Sequence, residues 1–203
     1  MVLPVIRGEA DGFLIQEEKS ANVTGARAMG IEERGGGLAE LTQAINAGTI
    51  RTLLVFGGDA LEVPGGEELL ATLESLESLI VVAPNETPFV DHATVLIPGA
   101  TFAEKDGSFT NLEGRVQWIS RALNLPEGVE NEGETLSRIS ASLSNAKTEP
   151  FDAIMTLGKI AETIPEYAHI SRAALGEQGK VSGIQEAVDP DPEPAEITVS
   201  GEA

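Results

Sequence analysis

"TLLVFGG", Thr52 to Gly58, is a continuous apolar run closed by two glycines. A run this short, rich in aliphatic residues and ended by a turn signal, predicts a strand buried on both faces of a parallel sheet. Upstream, "GGLAELTQAINAG" places Leu38, Leu41, Ala44 and Ile45 on one helical face, with Gly48 where a left-handed C-cap would sit. Downstream, "EELLATLESL" repeats helical spacing through Leu69, Leu70, Leu73 and Leu76. Two further apolar runs follow: "LIVVA", Leu79 to Ala83, and, after a polar turn with Pro88, "ATVLIP", Ala93 to Pro98. Strand, helix, strand, short helix or turn, strand, with connections of crossover length, predicts an α/β fold: a parallel Rossmann-like sheet flanked by helices. "VLPVI" at residues 2–6 offers a fourth strand.

Beyond Pro98 the pattern changes. Asp106-Gly107 is a tight-turn signal and Glu113-Gly114 a second one, while Val116 and Trp118 alternate with Arg115 and Gln117 as in a half-buried strand. A small β excursion at the carboxyl edge of the sheet is predicted. Two helical stretches follow. "ETLSRISASLSNA" turns Leu136, Ile139 and Leu143 inward, and "FDAIMTLGKIAETI" turns Ile154, Leu157, Ile160 and Ile164 inward, with Pro150 at N1. A last helix is predicted from Pro165 to Gly176. Residues 1–183 then read as one α/β domain. Residues 184–203, with "QEAVDPDPEPAEITVSGEA", read as an acidic, proline-punctuated tail or extended arm.

The 203 residues are 41% hydrophobic, enough for a real core, and carry a formal net charge of -20. That field repels phosphate backbones and anionic lipid headgroups, so neither nucleic acid nor a membrane surface is expected as a direct partner. The chain contains no cysteine, which excludes disulfides, thiolate zinc sites, thiol catalysis and any cysteine-ligated iron–sulfur cluster within it. "MVLPVIRGEADGFL" lacks the basic and apolar segments of a secretory signal, and no apolar run approaches a bilayer span. The expectation is a cytoplasmic protein that reaches a membrane only through a complex.

In an open parallel sheet, ligands bind outside the carboxyl ends of the strands. Gly57-Gly58-Asp59, Asn85-Glu86-Thr87 and the segment from Gly99 converge there. Paired glycines admit a close ligand, and Asp59, Asn85 and Thr87 suit a ribose, a guanine or a phosphate oxygen. The plainer reading is that short loops of any such fold carry these residue types. No phosphate-binding loop ends in Gly-Lys-Ser/Thr, and neither "GGG" at residues 35–37 nor "GGDALEVPGG" has dinucleotide-fingerprint spacing. His92 and His169 stand without a second ligand at metal spacing. Glu104, Lys105 and Asp106 read as a solvated turn rather than an acid/base group, and no serine lies in a nucleophile elbow.

"NETPFVDHATVLIPGATFAEKDGSFTNLEGRVQ", Asn85 to Gln117, closely resembles the "TET…ADVVLP…EKDGTFTN-EGRVQ" segment of the molybdopterin oxidoreductase superfamily. That superfamily includes formate dehydrogenases and the large G subunit of NADH:quinone oxidoreductase, respiratory complex I. "ANVTGARAMGI" from Ala21 resembles its Asn-x-x-Gly-Ala-x-x-x-Gly segment, "LLVFGGDAL" its strand and Gly-x-Asn-Pro turn, and "IPEYAHISRAALGEQG" its closing Pro-x-Tyr-x-x-Ile helix. The resemblance implies the later α/β domain of the large subunit, which helps hold one pyranopterin guanine dinucleotide. Asp59 and Ala60 replace the Asn and Pro of the turn, and Asn85 stands where the first Thr of Thr-Glu-Thr would be. An Asp presents only acceptors and repels a pyrophosphate.

Two functions follow from the resemblance. The first is a non-catalytic scaffold subunit of a complex I-like assembly, resembling a truncated G subunit and binding no cofactor by itself. Its partners would carry the iron–sulfur clusters and flavin, and Phe109, Arg115 and Trp118 would contact a neighbouring subunit. The alternative is half of a molybdenum or tungsten enzyme like formate dehydrogenase. There Gly57, Gly58, Asp59, Glu86 and Thr87 would touch a molybdopterin guanine dinucleotide shared with a partner chain.

Overall fold

The computed structural model describes residues 9–10, 20–31, 37–57 and 65–184. In chain order these form α1 (Val23–Ala28), α2 (Gly37–Asn46), β1 (Thr52–Phe56), α3 (Gly66–Thr72), β2 (Ser78–Ala83), β3 (Val95–Pro98), β4 (Gly107–Thr110), β5 (Arg115–Ile119), α4 (Glu132–Ser144), α5 (Ala153–Thr163), α6 (Arg172–Leu175) and β6 (Lys180–Val181). The suggested strand at residues 2–6 and the tail from residue 185 lie outside the described residues.

The three apolar runs pair in parallel in the order β1-β2-β3. Register follows the pleat. Val55 lies beside Val81 and Val81 beside Leu96, so these side chains share one face. On that face Leu53, Val55, Leu79, Val81 and Ala83 meet Leu38 and Ile45 of α2, Leu69 of α3, Leu73 and Phe89. Helix α2 ends as its sequence predicts: Gly48 takes φ 69°, a left-handed conformation that costs glycine least. Burial of the strands departs from expectation. Only β2 is buried along most of its length, whereas β1 exposes both its ends and β3 exposes Val95, Leu96 and Pro98.

The excursion is an antiparallel sheet in the order β4-β5-β6. Its hairpin turn is Asn111–Gly114, not Asp106-Gly107; Gly107 instead opens β4 opposite Ile119. Asn111 shapes that turn, its Oδ1 accepting from the backbone N–H groups of Glu113 (3.1 Å) and Arg115 (2.8 Å). Gly114 closes the loop at φ 72°. Under this sheet lies a second core of Val116, Leu157, Tyr167, Ile170 and Leu175, joined by Trp118, Ile160, Ile164 and Ile184. Hydrogen bonds stitch residues 182–183 to it: Ser182 N–H and Oγ each donate to Gly114 O at 2.8 Å, and Gly183 N–H to Glu166 O at 2.7 Å.

Helix α4 corrects the sequence reading most sharply. Its buried residues are Thr135 and Ala141, while Leu136 and Leu143 are 47% and 84% exposed. Helical spacing identifies a stripe, but the side it faces is set by how the chain enters the helix. Here Asn131 caps α4, accepting from Gly133 N–H, and Phe151 packs so tightly on Gly133 that a Cβ there would overlap its ring. Helix α5 starts from Asp152, which accepts from Met155 N–H at 2.7 Å, so Pro150 precedes the cap rather than occupying N1. Leu157 is buried as expected; Ile154 is exposed. The expected helix from Pro165 to Gly176 is a 3-10 turn, Pro165–Tyr167, followed by the four-residue α6.

Candidate functional site

The carboxyl edge of β1, β2 and β3 is the first place to look. Gly57, at φ 82°, donates its N–H to Val82 O at 2.8 Å, and nothing lies within 4 Å of where a Cβ would stand. A ligand could approach that backbone. Gly58 and Asp59 lie outside the described residues. Glu86 is exposed. Thr87 accepts from Val90 N–H at 2.9 Å through its carbonyl, yet its hydroxyl is buried without a hydrogen-bond partner. Such an orphan is a feature that needs a reason. After β3, Gly99 lies against β2 closely enough that a Cβ would sit 3.3 Å from the Ala83 carbonyl carbon.

The polar residues following β3 are committed to one another. Thr101 N–H and Oγ both donate to Glu104 Oε2, at 2.8 and 2.9 Å, forming a capping box. Lys105 reaches Glu132 Oε1 at 2.7 Å and Ala100 O at 3.2 Å, in a partly buried pair. Asp106 Oδ1 accepts from Arg121 N–H at 3.0 Å. The expected solvated turn is therefore an interlocked one.

A second constellation joins the three outlying segments. Asn22, in the left-handed region at φ 63°, points Oδ1 at Thr110 N–H, 2.8 Å away. Thr110 Oγ1 lies 2.7 Å from the hydroxyl of Tyr167, both residues being buried. Gly25 makes room for this arrangement, since a Cβ there would overlap Asn22 Oδ1 and stand 3.1 Å from Thr110 Oγ1. Burial holds the Tyr167 phenol above its ordinary pKa of 10.0, reinforced by Glu166 and partly offset by the Thr110 hydrogen bond. Beside this seam lies a cleft of about 340 Å3, lined by Asn22, Phe109, Thr110, Asn111 and Gln117 among others. That is at the lower end for small-molecule sites, and in two of its lining residues the side-chain oxygen already accepts backbone N–H bonds, one at Asn22 and two at Asn111.

The three residues assigned to partner contact occupy different environments. Phe109 is 39% exposed, opposite Gln117 in the hairpin. Trp118 packs on the second core, with the Arg172 guanidinium 5.0 Å from its ring centroid. Arg115 is half-buried opposite Val181. His92 is exposed, and the ring Nε2 of His169 lies 2.8 Å from Val181 O. Among the described residues no group of three or more His, Cys, Asp or Glu is arranged to hold a metal ion, and no helix is long and apolar enough to cross a membrane.

The described residues form a mixed α/β fold, a parallel three-strand sheet flanked by helices beside an antiparallel sheet whose hairpin is tied through Thr110 to Asn22 and Tyr167. The molybdopterin oxidoreductase family model matches residues 15–140, more than half of the chain, and the chain belongs to that family. It is similar to the NADPH-Fe(3+) oxidoreductase subunit alpha of Geobacter sulfurreducens, at 29% identity over 66% of this chain and 16% of the relative. It is also similar to the F420-dependent formate dehydrogenase 1 subunit alpha of Methanococcus maripaludis, at 32% over 53% of this chain and 16% of the relative. The G subunit of the Streptomyces coelicolor NADH-quinone oxidoreductase matches at 28% over 53% of this chain and 13% of the relative. The matched stretch thus spans a small part of each relative, and all three are named as subunits.

The family's dinucleotide tests the carboxyl edge. Gly57 and the Thr87 hydroxyl could serve its sugar or base, but Glu86 opposes a pyrophosphate, and Lys105, the first cation after β3, is held by Glu132. The described edge does not fit the charged part of that group.

Proposed function

We propose that this chain is a non-catalytic scaffold subunit of a multisubunit oxidoreductase, filling the role of one domain of the G subunit of a complex I-like NADH:quinone oxidoreductase. The observation that carries the reading is how the motif residues are used. Asn22, Glu104, Lys105, Asn111, Thr110 and Tyr167 are engaged in hydrogen bonds with other side chains and with the backbone. Asn22, Thr110 and Tyr167 tie the hairpin to the rest of the domain, while Glu104, Lys105 and Asn111 are taken up in local turn contacts and an ion pair. Iron–sulfur clusters and flavin belong to partner chains in this reading, since 203 residues without cysteine offer no thiolate ligand. Phe109, Arg115 and Trp118 remain the proposed contact residues on the hairpin.

A second reading is supported by the orphan Thr87 hydroxyl and the open backbone at Gly57: a half-site for a pyranopterin guanine dinucleotide completed by another polypeptide. Affinity purification from the source cells, with molybdenum and tungsten quantified against the tagged chain, separates the readings, since metal at about one equivalent favours the half-site. The scaffold predicts that the tagged chain brings down iron- and flavin-bearing polypeptides, and that the chain alone turns over no substrate. A stable monomer without partners, or turnover by the chain alone, would overturn it.

A further inference from the structure

The cleft of about 340 Å3 beside the Asn22–Thr110–Tyr167 seam has an uncharged lining: none of its lining residues is acidic or basic, in a chain with 33 acidic and 13 basic residues. Its character comes from three amides and an apolar wall. Asn22 turns Oδ1 to the backbone N–H of Thr110, and Asn111 turns Oδ1 to those of Glu113 and Arg115. An N–H group bonds only to an acceptor, so these contacts fix which way round both amides sit and leave each residue its Nδ2 donors to offer. Among the described residues neither Nδ2 has a hydrogen-bond partner, and the Gln117 side chain has none. The Gln117 stem is closely packed, since a Cβ on Gly179 would stand 2.6 Å from its Cγ. Val23, Leu112 and Phe109 supply the apolar wall, and Phe109 is 39% exposed.

These groups narrow the ligand. An anion would find no cation in the lining and would enter against a formal charge of -20, while a cation or metal ion would find no carboxylate there. A neutral group with carbonyl oxygens answers the two Nδ2 donors, and an apolar body covers Phe109 and Leu112. Apolar walls with a few polar groups fixed in place are the usual make-up of a ligand site. Here the polar groups are held before any ligand arrives, because their oxygens are anchored to backbone, which lowers the cost of binding.

We infer that this cleft binds an uncharged ligand whose carbonyl oxygens accept from the side-chain amides of Asn22 and Asn111 and whose apolar body lies on Phe109 and Leu112. A peptide segment of a partner chain and a free aromatic amide share that chemistry. The site does not depend on the reading of this chain as a subunit; where the occupant is a peptide, it specifies what the hairpin contact at Phe109 recognises.

The test follows the side-chain amide resonances of Asn22, Asn111 and Gln117 by NMR in the isotope-labelled full chain as acetyl-leucine methylamide, benzamide or acetyl-leucine carboxylate is added. Saturable shifts at the Asn22 and Asn111 amides are expected with at least one neutral probe, with the carboxylate about tenfold weaker or worse. The stronger neutral probe tells a peptide occupant from a small aromatic one. No shift with either neutral probe, or equal affinity for the carboxylate, would overturn the inference. Asn111→Asp keeps the oxygen that shapes the turn and deletes the donor, so it should weaken neutral-probe binding by about tenfold with circular dichroism unchanged. An Asn111 that serves the turn alone predicts no change in affinity, and that result would also overturn it. Phe109→Ala, at an exposed position, should cost about tenfold as well, and retained affinity would count against the site. Every readout uses the chain alone, so partners that fail to co-purify bear on the subunit reading and leave this one standing.

Discussion

Replacing Tyr167 by Phe removes one hydroxyl and strands another. Thr110 Oγ1 would then be buried with its partner 2.7 Å away deleted, and Thr110 is 3% exposed, so water cannot replace it without opening the seam. Leaving a buried polar group unsatisfied costs about 1–3 kcal/mol. Thr110→Val strands the Tyr167 hydroxyl instead, at similar cost. The double variant leaves neither group stranded, so its cost should be no larger than that of either single variant, giving an interaction energy of about 1–2 kcal/mol of favourable sign. Urea unfolding of the four proteins is the assay, and a melting shift of about 2–4 °C per kcal/mol is the corresponding thermal signal for a chain of this size. Additive single-variant costs would refute the seam. The pH dependence has a definite sign. A phenol whose folded pKa is raised contributes stability that is fully present below pH 10.0 and is lost as pH rises through the folded value. Stability should therefore fall above pH 10.0 in the parent and fall less in Tyr167→Phe. Tyr167 is the chain's single tyrosine, so phenolate absorbance follows its ionisation without ambiguity.

Four further outcomes are expected. Gly25→Ala forces a Cβ into Asn22 Oδ1 and should cost about 1–3 kcal/mol by urea unfolding, whereas Gly158→Ala, in open space within α5, should be neutral or stabilising by up to about 1 kcal/mol. Gly179→Ala combines φ 71° with overlap of the Val116 carbonyl and should cost at least about 2 kcal/mol, read as a lowered denaturation midpoint. Leu157→Ala should cost about 2–5 kcal/mol while Leu143→Ser stays within about 0.5 kcal/mol, and a cost of about 2 kcal/mol or more at Leu143 would show that α4 is turned the other way. Arg172→Ala should change the fluorescence of Trp118, the chain's single tryptophan, and cost about 0.5–1 kcal/mol.

Much of this architecture was legible because local chemistry agreed with the fold. Three short apolar runs form the parallel strands, and Gly48 marked the end of α2. Asn111 and Gly114 carry the hairpin turn, though the Asp-Gly pair at 106–107 was the more conspicuous signal. Such a pair favours a turn in isolation, but Asp106 is recruited by Arg121 N–H across the strand pair, and Gly107 enters β4. The outward stripe of α4 could not be read from spacing, since Leu136, Ile139 and Leu143 satisfy helical periodicity whichever way the helix is rolled. The Asn22–Thr110–Tyr167 seam was hidden for a different reason. Its members are separated by 88 and 57 residues, and each segment looks complete by itself. The Asn-x-x-Gly, Phe-Thr-Asn and Pro-x-Tyr segments were visible as family motifs, but only packing shows that they hydrogen-bond to one another.

In the proposed scaffold role this chain would hold an oxidoreductase together without housing its chemistry. Molybdenum and tungsten, quantified against this chain in the intact purified assembly, test that most directly. The scaffold account predicts iron and flavin on the partner polypeptides with neither metal above background. Molybdenum or tungsten at about one equivalent per chain, lost together with the chain when it is stripped from the assembly, would contradict it.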